Sequence, residues 1–524
     1  MRETLRGALL GALCAALLAA PAAGQTLTIG AAAPVTSIDP HFHNLGPNNA
    51  LTMHIFDRLV ERDGRARPHP SLASAWRALS ERVWEFELRP GVSWHDGRPF
   101  TAEDVVFSFA RVPQVPNSPG GFQGFLRAIE RVEVVNPHLI RLHTRAPHPL
   151  MPLDLASVSI VARHAAEGMA TEDFNSGRAA IGTGPYRLAA FRAGDRVEMV
   201  RHDAYFGGRE PWARVNYRML LNDASRTAAL LAGDVDLIEQ IATSDLARLR
   251  RDPRVTVTEI PSLRTVYIAP DWSREGAPPG VTDHAGNPLP ANPFRDARVR
   301  EALSLAIHRE ALVERVMEGA ATSTAQWLPA GAFGHNHDIR PDPFDPERAR
   351  RLLAEAGFPE GFRLTLATPN DRWPNDARIA QAVAQMWTRI GVRTAVEALP
   401  WTGFVPRRAR LEFGIQLAAW GSSTGEASNF LVNVVASHDR QRLTGANNNA
   451  RYSSARFDTL IAEASATMDE EQREAMWREA VQLFAEERPV IQLVQYLNTW
   501  AVRRGLRHDP RMDERTIAMG VRPH

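Results

Sequence analysis

Lysine is absent from all 524 residues, so the 61 residues counted as Lys or Arg are all arginines. That excludes a Schiff-base lysine, a lysine general base and a P-loop lysine. Cysteine is nearly absent too: Cys14 stands alone. Charge of one sign is not in excess, with 61 basic residues against 60 acidic ones. A nucleic-acid binder needs a basic face, and this balance gives none. No segment reaches the roughly 18 consecutive apolar residues of a membrane-spanning helix. What is present is ordinary for a globular chain: 44% hydrophobic and 23% charged residues. Such a length exceeds one core, so two to three lobes are expected.

The N-terminus reads as an export signal over residues 1–24. Arg2 and Arg6 form a basic region, Gly7 to Ala20 an apolar run, and Pro21-Ala-Ala-Gly24 a small-residue cleavage region. Cleavage is expected near residues 22 to 24. Removing Arg2, Arg6 and Glu3 leaves the remainder formally neutral. Cys14 leaves with the signal, so no disulfide or thiol chemistry is expected. Leu13 before Cys14 argues against a lipid anchor. The expected location is a periplasm, as a soluble protein.

Trp84, Phe86 and Leu88 alternate with charged residues, which predicts a half-buried strand. Pro90-Gly91 and Asp96-Gly97 mark turns, and Thr101 with Asp104 opens a helix through an approximate capping box. Asn117 to Gly124 reads as a loop and Asp223 to Ala232 as a helix. Val255 to Thr258 and Arg264 to Ile268 read as separate strands. Asp296 caps one helix and Asp345 another, the latter with Pro346 at its first turn and Gly357 after it. Phe362 to Ala367, Val392 to Leu399 and Phe413 to Trp420 read as strands alternating with helices. That is the pattern of an α/β lobe. Residues 455 to 487 read as helical, and 489 to 502 return to strand character.

Trp84-Glu-Phe-Glu-Leu-Arg-Pro-Gly-Val-Ser-Trp-His-Asp-Gly-Arg-Pro-Phe-Thr-Ala-Glu-Asp-Val-Val-Phe107 closely resembles the signature of bacterial solute-binding family 5. That family comprises the dipeptide, oligopeptide and nickel-type extracellular binding proteins of ABC importers. Gly182-Thr-Gly-Pro-Tyr186, Ala232-Gly-Asp-Val-Asp-Leu237, Arg298-Val-Arg-Glu-Ala-Leu303 and Asp345-Pro-Glu-Arg-Ala349 follow in the family's order. The resemblance implies an α/β fold: a two-lobed, type II-like periplasmic-binding-protein architecture with an extra subdomain and a hinge crossed twice. The implied division is residues 25–265 for the first lobe, including a subdomain about 50–180. Residues 266–489 then form the second lobe, and 490–524 return to the first. The crossings are expected near Leu263 to Pro270 and Arg488 to Gln495. The implied function is capture of a small peptide or peptide-like solute by lobe closure, then delivery to an inner-membrane permease and ATPase. No enzyme activity, cofactor or nucleic-acid partner is expected, and the chain is expected to be a monomer. The signature around Trp94 and Asp96 is expected to be architectural.

Ligands of open α/β lobes sit beyond the carboxyl ends of strands. This directs attention to Trp420 and the loop after it. In peptide-binding relatives the segment reads Trp-x-x-Asp, and the aspartate pairs with the ligand's α-amine. Here Ser423 stands at that position, and a serine cannot neutralise an ammonium. Glu426 is a candidate replacement acid. Trp420 is a candidate stacking wall. Trp401 and Phe404 resemble the family's Pro-Trp-x-x-Phe element and are candidate cleft residues. Among Arg407, Arg408 and Arg410, Arg408 is the candidate for a ligand carboxylate. Phe42 and Asn44 are candidates for the facing wall, and Asp271 and Trp272 follow a proposed hinge strand. His41 with His43, and His335 with His337, lack accompanying ligands, so no metal site is expected. Non-peptide solutes stay open as alternatives: an opine, a glutathione-like compound, a glycoside or a metal chelate. So does a periplasmic hydrolase, although neither G-x-S-x-G nor H-E-x-x-H occurs. A chaperone or sensor that binds peptide without feeding a transporter is not separable by sequence.

Overall fold

The computed structural model describes residues 25–524; the export-signal reading and Cys14 lie outside the described residues. Among the described residues, no helix is long and apolar enough to cross a membrane.

Two long strands organise the molecule. Val255–Pro270 pairs antiparallel with Ile491–Arg503 and so joins the two halves of an 11-stranded sheet. On one side lie Leu237–Glu239, Thr26–Ala31, Arg214–Met219, Arg196–Arg201 and Tyr186–Arg192. On the other lie Ile415–Gly421, Arg363–Pro369 and Arg393–Leu399. These are the two lobes. The ladder between the long strands breaks register between Pro261 and Thr265, opposite Leu497 and Gln495. An extra residue in one strand of a pair bends it locally. Pro261 also cannot donate to the ladder, which explains why the sequence reads as two strands where the chain forms one.

The extra subdomain is a four-stranded antiparallel sheet in the order Ala73–Ser80, Val83–Leu88, Leu139–Thr144, Ile129–Asn136. Trp94, Phe86, Phe100, Val105 and Leu142 are at most 1% exposed in its core. The Thr101–Asp104 capping box is present on the helix Ala102–Arg111, with Asp104 Oδ2 accepting from Thr101 N at 3.0 Å. Asp96 meets His164 Nε2 at 2.7 Å. The family signature therefore builds a core, a turn and a cap.

Gly182-Thr-Gly-Pro is architectural for a different reason. A Cβ on Gly182 would lie 1.7 Å from the Ile55 carbonyl oxygen, so only glycine permits that approach. Thr183 Oγ1 donates to the buried Asp57 Oδ2 at 2.8 Å. Burial pushes the Asp57 carboxyl up to about 7.

In the second lobe, Asp345 accepts from Arg348 N at 2.8 Å and starts the helix Pro346–Glu355. The predicted helical stretch 455–487 is two helices, Ala455–Ala466 and Glu470–Glu487, the second capped by Asp469.

Candidate cleft and carboxylate pocket

The strands Arg363–Pro369, Arg393–Leu399 and Ile415–Gly421 are parallel, so their carboxyl ends share one edge. Ile415–Gly421 runs antiparallel to Val255–Pro270, with Gly421 level with Arg264 and Trp420 with Thr265. The shared edge therefore lies beside the register break, where the two lobes meet.

Trp401, Phe404 and Arg408 come together on the helix Trp401–Ala409, which follows one of these edges. Trp401 stacks on Phe404 with ring centroids 5.9 Å apart, and Phe404 stacks on Phe413 at 5.1 Å. The guanidinium of Arg408 lies 5.3 Å from the Trp401 ring centre, and that of Arg372 lies 5.2 Å from it. Phe404 is fully buried, whereas Trp401 is half-buried.

The three arginines of this helix end separate cleanly. Arg407 pairs with Glu397 at 2.6 Å and Glu412 at 3.0 Å, and Arg410 pairs with Glu412 at 2.5 Å. Arg408 makes no ion pair among the described residues. Burial draws its guanidinium below the usual arginine value, countered by the Tyr267 hydroxyl.

Arg408 lines a small pocket with Tyr267, Ala269, Gln416, Asn447 and Val490, level with the amino half of Ile415–Gly421 and not with the carboxyl end that carries Trp420. Gln416 Oε1 is buried there without a hydrogen-bond partner. An unpaired guanidinium can meet a carboxylate through two parallel hydrogen bonds from its fork, while the Gln416 amide oxygen beside it calls for a hydrogen-bond donor instead.

The Trp420 loop is arranged differently. Trp420 is half-buried, and its indole Nε1 donates to Asn429 Oδ1 at 2.8 Å. Asn429 Nδ2 donates in turn to Ser423 Oγ at 2.9 Å. Asn429, which carries no motif in the sequence, thus ties two candidates together. Ser423 is exposed, and its backbone carbonyl accepts from Arg62 Nη1 of the first lobe.

Glu426 differs from its expected role as an acid offered by a shifted loop. It is 3% exposed, sits at the N-cap position of the short helix Ala427–Phe430 without a side-chain capping bond, and accepts from Ser428 Oγ at 2.6 Å. Burial raises its pKa.

Asp271 and Trp272 lie away from the shared edge. They follow Pro270, which is level with Ile415 at the amino end of the strand that carries Trp420. Asp271 accepts from Ser273 Oγ at 2.6 Å and meets Arg274. Trp272 Nε1 donates to the Pro489 carbonyl at 3.0 Å, and Arg300 lies 4.4 Å from its ring centre. Antiparallel pairing is the physical reason: the hinge strand leaves the lobe junction where Ile415–Gly421 arrives at it.

The segment Asp39 to Asn44 is pinned to the first lobe. Asp39 receives Arg111 bidentately at 2.9 and 2.7 Å, and this ion pair holds its carboxyl below the usual range against the opposing effect of burial. The Phe42 carbonyl accepts from Ser118 Oγ, and Asn44 N donates to the Gly120 carbonyl at 2.8 Å. Phe42 is half-buried and Asn44 exposed. His41 is buried, with Nε2 2.8 Å from the Ser159 carbonyl, and burial lowers its pKa to about 4. The rings of His335 and His337 are 4.7 Å apart, and no group of three or more His, Cys, Asp or Glu that could hold a metal occurs among the described residues.

The family model for bacterial extracellular solute-binding proteins, family 5, matches residues 67–441. Heme-binding protein A of Haemophilus influenzae is 30% identical over 464 residues, covering 82% of this chain and 80% of that protein. The dipeptide-binding protein of Escherichia coli is 26% identical over 472 residues, covering 84% of each chain. Among solved structures, HbpA2 from Haemophilus parasuis superposes with a TM-score of 0.83 at 25% identity, over 95% of this chain and all of that one. A dipeptide-binding protein from Pseudoalteromonas sp. SM9913, in complex with Met-Leu, shares the fold. Its TM-score is 0.73 at 21% identity, over 95% of this chain and 100% of that one.

Proposed function

The chain belongs to the bacterial extracellular solute-binding proteins of family 5, and from that premise we propose that it is the periplasmic receptor of an ABC importer. Its ligand is a small peptide or peptide-like solute that carries a carboxylate. The single observation behind this ligand class is Arg408, an arginine left without an acid while its neighbours Arg407 and Arg410 each have one. The cargo passes to an inner-membrane permease and ATPase, and the receptor acts as an exported soluble monomer.

Capture works by bending at the register break between Pro261 and Thr265. This supports a division into residues 25–265, 266–489 and 490–524, with the subdomain about 50–180 in the first lobe. A ligand closes the lobes only to the extent that it binds the closed form better than the open one. Trp401 offers an apolar platform and Arg408 an anion anchor from the second lobe. Phe42 and Asn44 are assigned to the opposing wall.

A second reading is favoured by the heme-binding name of one relative: a non-peptide solute that carries carboxylates, anchored at the same arginine. Thermal unfolding against di- and tripeptides, an opine, glutathione, a glycoside and heme separates the two. A ligand at 100 times its Kd stabilises the folded state by about 2.7 kcal/mol. Stabilisation by peptides supports the first reading, stabilisation by heme alone supports the second, and no stabilisation by any of them defeats both.

A further inference from the structure

Arg62 is a first-lobe residue that touches the second lobe's ligand loop. It ends the strand Val60–Arg62 and is 4% exposed. Its Nη1 donates to the Ser423 carbonyl. Its Nη2 donates to the Leu153 carbonyl at 3.0 Å and to Ser157 Oγ at 2.6 Å, both in the subdomain. Its own carbonyl accepts from Arg511 Nη2 at 2.9 Å, and its Nε is buried without a partner.

The acids around Arg62 form their ion pairs with other bases, although Asp513, Asp154 and Glu61 partly offset its charge from a distance. Glu61 pairs with Arg58 at 2.9 Å. Asp513 is shared by Arg511 at 2.7 Å and Arg515 at 3.8 Å. Asp154 meets His148 at 2.7 Å, Asp63 meets Arg67 at 3.1 Å, and Glu514 meets Arg264 at 2.9 Å. Arg62 makes only neutral-acceptor contacts among the described residues. A guanidinium with no carboxylate partner in a desolvated site projects its charge onto whatever it touches.

What it touches is the loop between Trp420 and Ala427. The acid of that loop, Glu426, is buried on Ser428. Ser423 Oγ already accepts from Asn429. The loop therefore offers a ligand no free carboxylate, and one of its carbonyls is held by a cation.

We infer that Arg62 is a positioning residue that determines specificity: it anchors the Ser423 loop and makes that end of the cleft reject an ammonium, so the preferred solute presents a neutral or anionic group there. This rests on the capture reading, with the solute's carboxylate at Arg408. In such a ligand the end at Ser423 is an acylated amine, an amide or a second acid.

The test uses the full chain after signal removal, titrated calorimetrically with Ala-Ala-Ala and N-acetyl-Ala-Ala-Ala. Wild type is expected to bind the acetylated peptide about tenfold or more tightly than the free one, since like-charge juxtaposition costs several kcal/mol. Arg62→Met is expected to narrow that ratio at least about fivefold, and Arg62→Lys to preserve most of it. Hydrogen exchange of the amides over 421–426, read without any ligand, is expected to speed up in Arg62→Met. A wild-type preference for the free tripeptide, or the same ratio in Arg62→Met, overturns the specificity claim. Unchanged exchange in Arg62→Met overturns the anchoring. Failure of both peptides to bind wild type defeats the peptide reading itself, and the exchange measurement still decides the anchoring.

Discussion

In residues 84–107 Asp96 and Asp104 find partners inside the subdomain, whereas in the second lobe Arg408 is left without an acid while Arg407 and Arg410 beside it are paired. Asp104 caps its helix and also accepts from Arg163 N at 3.0 Å; Asp96 holds His164. In the second-lobe pocket Arg408 lacks an acid and Gln416 Oε1 lacks a donor. Unsatisfied buried polar groups are costly, and a ligand that brings an acceptor to Arg408 and a separate donor to Gln416 Oε1 offsets that cost. The comparison teaches that the most recognisable segment of this chain maintains its shape, while the unpaired groups that the proposed ligand would meet lie outside it.

Substitutions in the two regions should therefore separate stability from binding. The largest effect is expected for Trp94→Ala: the ring is fully buried against Phe100, and its loss should cost about 3–5 kcal/mol of stability in denaturant titration. Ligand affinity of the molecules that remain folded should stay unchanged. If affinity fell with stability, the signature segment would be part of the site.

Acid is the next probe. Burial lowers His41, His54 and His508 to about 4 and His95 to about 3. In His54 the neutral ring is used fully: Nδ1 donates to the Leu51 carbonyl at 3.0 Å, and Nε2 accepts from Ala518 N at 2.9 Å. The unfolded chain binds protons on these groups from about pH 6.5 downward, before the folded one does. The contribution of these four rings is full above that pH and is lost as pH falls toward 4, outweighing the opposite trend of the raised Asp57 carboxyl, so net stability should decline. Melting temperatures from pH 8 to pH 4 check this. A melting temperature independent of pH in that range would contradict the burial of these rings, none of which belongs to the second-lobe pocket.

Asp104→Ala removes the cap and should cost about 1–2 kcal/mol. The smallest stability change is expected for Arg408→Met, below about 1 kcal/mol, because no ion pair is lost and the new side chain still covers Trp401. A loss as large as that of the cap variant would mean that Arg408 holds the fold and not a ligand.

Much of the architecture was legible in the sequence. The cap residues Asp104, Asp296 and Asp345, and the strand near Trp84, follow from local chemistry; the break that Asp469 caps inside 455–487 was missed. The long hinge strand did not, because Pro261 and Ser262 look like an end when read locally; only pairing with Ile491–Arg503 carries the chain through them. Of the candidate site, Trp401, Phe404 and Arg408 share one helix, and helical spacing brings them together. Asp271 and Trp272, candidates because they follow the hinge strand, lie at its far end, since strand direction is not readable from one sequence. Arg62, Asn429 and Gln416 carried no signal: Arg62 acts through a contact distant in sequence, Asn429 through loop geometry that no pattern marks, and Gln416 by lacking a partner.

The central claim is that this receptor holds a carboxylate at Arg408. Native mass spectrometry of gently purified wild type and Arg408→Met tests it most directly. The expected result is a small acidic adduct on wild type that is lost, or weakened about 100-fold or more on rebinding, in Arg408→Met. An adduct retained equally by both proteins would contradict the claim.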